Sequence, residues 1–99
     1  MSDLQFGPKK SYEEYFIDFD FVNEIDDDDY IDSAIVTVMD GVDDVTDDLT
    51  DEASQTISGA KVSVWIKGGV SGTTYIITCQ IVTATLVEKY ESDADIEIL

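Results

Sequence analysis

Lys61-Val62-Ser63-Val64-Trp65-Ile66-Lys67, Gly68-Gly69-Val70-Ser71-Gly72 and Thr73-Thr74-Tyr75-Ile76-Ile77-Thr78-Cys79-Gln80-Ile81-Val82-Thr83 form the stretch that decides the fold of this 99-residue chain. Two runs rich in β-branched and aromatic residues flank a short connection with three glycines, a pattern that predicts an antiparallel hairpin. In the second run Tyr75, Ile77, Cys79 and Ile81 share one face, and Thr74, Ile76, Thr78 and Gln80 share the other. In the first run Val62, Val64 and Ile66 are expected inward, which leaves Trp65 at a sheet rim or on a contact surface. Gly68, Gly69 and Gly72 supply the positive φ that a tight reversal needs. A phosphate cradle is the sharper reading of these glycines, but no Lys-Ser/Thr pair and no helix start follows them.

Composition bounds the rest. Ninety-nine residues with 43% hydrophobic content make one small domain with room for one core. A net charge of −18, from 23 Asp and Glu against five Lys and no Arg, disfavours nucleic acid and anionic membranes as partners, because both demand cationic neutralisation. Without histidine there is no Ser-His-Asp or Cys-His chemistry and no His-containing zinc site. The single cysteine, Cys79, lies on an apolar strand face, where a small buried hydrophobe is expected rather than a nucleophile. No run approaches the roughly 18 apolar residues of a membrane span, and the first residues lack a signal-peptide core, so a soluble protein is expected.

Outward from the glycine stretch, residues 1–11 read as an extended arm and residues 12–99 as the domain. Residues 15–21 alternate strictly, with Tyr15, Ile17, Phe19 and Phe21 on one face and Asp18 and Asp20 on the other. Residues 23–29 form an Asp-rich turn, and residues 31–39 a second strand. Residues 40–55 are acidic, with Val42, Val45 and Leu49 spaced for a short helical turn, although a loop carrying a short strand fits equally well. Residues 86–90 and 95–99 close the chain as one or two edge strands. Short strands separated by turns, with no βαβ rhythm, predict an all-β antiparallel sandwich burying Phe19, Phe21, Val36, Val64, Ile66, Ile77 and Ile81. Gly72-Thr73-Thr74-Tyr75 at the start of a strand is similar to the tyrosine corner of immunoglobulin-like sandwiches, but Cys79 follows Tyr75 by four residues where antibody domains have two and the partner cysteine is missing, which leaves the disulfide-free kind.

Three motifs carry a resemblance: Tyr15-Phe16-Ile17-Asp18-Phe19, Ile31-Asp32-Ser33-Ala34, and the block from Val62 through Trp65, Gly68, Gly69 and Gly72 to Tyr75. In this order they resemble small immunoglobulin-like virion proteins of tailed bacteriophages and prophages, over residues 9–99. The resemblance implies a structural role in capsid, neck or tail, with other virion proteins as partners and no catalytic residues to transfer. The acidic segment at residues 40–52 departs from the pattern.

The acidic clusters offer hard oxygen ligands, and Asp26, Asp28, Asp44, Asp47 and Asp48 are the candidates for a calcium site. Their irregular spacing and the missing EF-hand glycine favour a solvated anionic surface instead. Paired carboxylates also suggest glycoside hydrolysis, but that chemistry needs a fixed separation in a cleft; no enzyme and no cofactor is expected. Tyr12, Tyr15, Phe16, Tyr30, Trp65 and Tyr90 include outward aromatics, which mark interfaces as readily as rim packing. Phe6, Tyr12, Tyr30 and Trp65 are the interface candidates, with Phe6 carried on an arm able to join a neighbour's sheet. Two functions follow: a non-enzymatic virion component bound in several copies to a protein lattice, or a calcium-dependent immunoglobulin-like adhesion module.

Overall fold

A computed structural model describes residues 4–99 as two packed sheets. The strands are β1 (Leu4–Lys9), β2 (Tyr15–Asp20), β3 (Ile31–Asp40), β4 (Asp43–Asp44), β5 (Thr50–Ser58), β6 (Lys61–Ile66), β7 (Thr74–Thr83) and β8 (Lys89–Ile98), with one helical turn, α1 (Thr46–Leu49). The larger sheet has the order β1-β8-β7-β3-β4, and the smaller β2-β6-β5. The expected all-β sandwich is the observed architecture.

The expected hairpin does not form. β6 pairs with β2 and β5, whereas β7 pairs with β3 and β8 in the other sheet. Alternation had placed the inward faces correctly: Val62, Val64 and Ile66 on one side and Tyr75, Ile77, Cys79 and Ile81 on the other are all buried. These two faces oppose each other across the core instead of lying side by side, and the glycine loop carries the chain from one sheet to the other. Gly69, at φ 102°, runs against Ile98 and Leu49 inside this crossover. The true hairpin partner of β6 is β5, through a two-residue turn that places Gly59 first at φ 61°, the glycine-first pattern of short β-hairpins.

Two other segments depart from expectation, and residues 40–55 combine both of the readings given for them. β8 is a single strand between β7 and β1, not one or two edge strands, because its acidic residues Asp93, Asp95 and Glu97 alternate with inward Ala94, Ile96 and Ile98. Residues 40–55 contain a short strand, a helical turn and the start of β5. The segment expected as an extended arm apart from the domain is extended, but from Leu4 it pairs in parallel with β8; residues 1–3 of that arm lie outside the described residues.

The core joins both sheets. Phe19 is 1% exposed, and the Phe6 ring meets it edge-on at 5.3 Å between centroids. Of the seven predicted core residues only Val36 is half-buried rather than buried. Cys79 is enclosed, and desolvation pushes its thiol up to about 12, which leaves it protonated and inert at neutral pH. Tyr75 accepts a hydrogen bond at its hydroxyl oxygen from the Val70 N–H at 3.0 Å. That tie fastens the glycine crossover to the start of β7.

Candidate docking surfaces

The strand directions give the sandwich two ends. At the Gly68 end lie residues 10–14, 41–49 and 67–73; at the Asp29 end lie residues 21–30, 59–60 and 84–88. The longest dimension of the molecule is 42 Å.

At the Gly68 end, the outer face of β2 and β6 is aromatic. Phe16 and Trp65 are register partners, with ring centroids 5.0 Å apart at 77°. Phe16 is 49% exposed and Trp65 half-buried, and the indole N–H donates to Glu14 Oε1 at 3.2 Å. Tyr12, in the turn before β2, is 95% exposed. Beneath this turn Lys9 is fully buried, its Nζ donating to the carbonyls of Gly68 at 2.6 Å and Lys10 at 2.9 Å. Burial lowers the Lys9 pKa, while the nearby charges of Glu13 and Glu14 act to raise it. Lys9 thus ties the β1–β2 turn to the glycine crossover and fixes the platform carrying the aromatics.

At the Asp29 end a single carboxylate organises two loops. Asp29 accepts from the N–H groups of Thr85 at 2.8 Å, Leu86 at 3.0 Å and Tyr30 at 2.8 Å. Partial desolvation acts to raise the Asp29 pKa, but these three N–H groups and the Thr83 hydroxyl outweigh it and hold the carboxyl well below the usual carboxylate range. Tyr30, Leu86 and Val87 are exposed beside this clamp, at 54%, 54% and 64%. Val87 has φ 54°, a strained conformation for a β-branched residue.

A prediction follows from the Asp29 clamp. Its folded pKa lies below the ordinary value of about 3.9, so its stabilisation is present above that pH and lost as pH falls through the folded value. Asp29→Asn keeps one acceptor and turns an amide toward an N–H, and its unfolding midpoint is expected several degrees lower at pH 7. The difference from the parent should shrink as pH drops below about 4; melting curves at a series of pH values check it, and a constant difference would exclude a charge-based clamp.

The structure distributes the sequence-predicted residues unevenly. Tyr12 and Trp65 lie at the same end, as does Phe16, the register partner of Trp65, whose outward position in the alternation was the available signal. Tyr30 lies at the other end. Phe6 is packed on Phe19 and is not an outward contact. Leu86 and Val87 lay within a segment read as strand and gave no signal of their own. Asp26 and Asp28 precede β3 and Asp44, Asp47 and Asp48 follow it, so a ten-residue strand separates the two clusters. Among the described residues no three Asp, Glu, His or Cys side chains gather as a metal-holding group. Asp44 Oδ1 accepts from both the hydroxyl and the N–H of Thr46, which lower its pKa, and Asp26 Oδ1 accepts from the Asp28 N–H.

Comparison with protein families decides what kind of protein carries these surfaces. The model described as "Podophage GP4 fiber-tail adaptor protein gp77" matches residues 9–92. The chain belongs to this family. It is a phage virion structural protein with an accessory role in the tail. The match spans β2 to the first four residues of β8, and so includes both sheets and both ends of the sandwich. Among curated proteins none matches the chain.

Proposed function

We propose that this family member is a non-enzymatic connector that grips one virion protein through Tyr12, Phe16 and Trp65 and a second through Tyr30, Leu86 and Val87. The observation that carries the reading is the outer-face Phe16–Trp65 pair, with Phe16 49% exposed, at the same end as a Tyr12 that is 95% exposed. Nothing in the core requires these rings to stand outside, and Trp and Tyr are the residues that dominate binding energy when covered. The second surface lies at the opposite end, which suits a connector between tail and fiber components. The strain at Val87 supports it, since strained backbone gathers at binding sites.

The charge of −18 shapes how such a connector assembles. Several copies around a tail repel one another, so each is held by its neighbours of other types, whose facing surfaces carry Lys and Arg. Neither nucleic acid nor a membrane has a part in this reading. No cation enters this reading either.

Trp65→Ala tests the proposal. Its side chain lies outside the core, so the variant should fold, and its affinity for tails lacking the adaptor should fall by roughly 10- to 100-fold, as for a central hot-spot residue. Quantifying bound protein per particle measures this. Undiminished occupancy would remove Trp65 from the contact and with it the aromatic surface as the grip.

A further inference from the structure

The strand β3 is flanked by β7 on one side, but on the other it meets only β4, at Met39 and Asp40. Between Ile31 and Val38 no strand lies along that edge among the described residues. The edge is closed at both limits. The Ile31 N–H donates to the Gly59 carbonyl, while the Val38 N–H donates to Thr46 Oγ1 and the Val38 carbonyl accepts from the Val45 N–H. In an antiparallel pair the backbone groups of alternate residues point the same way. Those of Val36 and Ala34 therefore point outward with those of Val38. The Ala34 carbonyl takes only a long bond, 3.4 Å, from the Gln55 side chain. Opposite, β5 slips register between Asp51 and Thr56, so residues 52–55 swing away from β6 and leave a groove lined by Ala34, Val36, Thr46, Thr50, Glu52 and Gln55.

We infer that this groove receives a short extended segment of a partner protein, added to the β3 edge by backbone hydrogen bonds to Ala34 and Val36 and carrying Lys or Arg at its ends. The span from Ile31 to Val38, seven steps along the strand at about 3.3 Å each, accommodates a segment of about four or five residues. Charge selects the occupant. Glu52 lines the groove, the carboxylate of Asp44 is bonded to the Thr46 on its wall, and no lysine lines it. A second copy of this chain would bring the same acidic residues against them, so a cationic strand from another protein fits and a β3-to-β3 pair does not. Strand addition of this kind draws affinity from the main chain and selectivity from the flanking side chains.

The test uses the full chain, labelled with nitrogen-15, and two capped six-residue peptides of alternating valine and threonine, one ending in lysine at both ends and the other in glutamate. The lysine-ended peptide should shift the Ala34 and Val36 amide signals and slow Val36 amide exchange at least about tenfold, the glutamate-ended one should do neither, and Gln55→Ala, which frees the Ala34 carbonyl, should strengthen binding. Val36→Pro removes the edge donor without touching the pairing to β7 and should abolish it. No shift, equal response to both peptides, or a Val36 amide already as protected as that of Val38 in the free chain would each overturn the inference, as would a concentration-dependent dimer through β3. Trp65→Ala should leave the peptide response unchanged, which separates failure here from failure of the aromatic surface.

Discussion

Gly69→Ala is expected to lower the unfolding midpoint by at least about 10 °C. Gly69 sits at φ 102°, where a side chain costs about 1–2 kcal/mol. A Cβ there would lie 2.7 Å from Ile98 Cγ1 and 2.8 Å from its Cδ1. Ile98 cannot retreat, because it is fully buried, its N–H donates to the Thr73 carbonyl and its own carbonyl accepts from the Gly72 N–H. Overpacking adds about 1–3 kcal/mol. Gly72→Ala is the matched control: its φ is 85° and nothing lies within 4 Å of an added Cβ, so only the backbone cost applies. Thermal unfolding of both variants should therefore separate by several degrees. Equal losses would mean that the crossover loop is not packed against β8.

Lys9→Ala should rank next. The alanine removes a fully buried stem and leaves the carbonyls of Gly68 and Lys10 without their ammonium partner. Truncation and lost hydrogen bonds together cost about 3 kcal/mol. Lys9→Met fills the same space with an uncharged chain and should recover more than half of that loss, since only the hydrogen bonds are missing. Denaturant titration of the two variants distinguishes packing from polar bonding. If methionine is as damaging as alanine, the Gly68 carbonyl and not the stem carries the contribution of Lys9.

Both positions show where reading the sequence succeeds and where it stops. Period-two alternation in residues 15–21 and 74–83 identified the inward faces because a strand has only two. It could not assign β6 and β7 to sheets, since opposed faces in different layers and a shared face in one layer produce the same alternation. The seven residues from Lys67 to Thr73, longer than a tight turn needs, were the visible hint of a crossover. In β8 the polar run Glu91-Ser92-Asp93 broke the apolar pattern and made one strand read as two fragments. Phe6 and Lys9 were concealed by Gly7-Pro8 and by charge: a lysine reads as surface, and one of the two carbonyls that satisfy its buried ammonium lies 59 positions away. Of the docking surfaces, Tyr12 and Trp65 were legible as outward aromatics. The Asp29 clamp was not, because it joins loops 56 and 57 residues apart that share no local signal.

Radical footprinting of the chain free and bound to tails tests the central claim most directly. The account predicts that Tyr12, Phe16 and Trp65 lose reactivity together on binding, while buried Cys79 stays unreactive in both states. Full retention of reactivity at all three rings in tail-bound protein would contradict it.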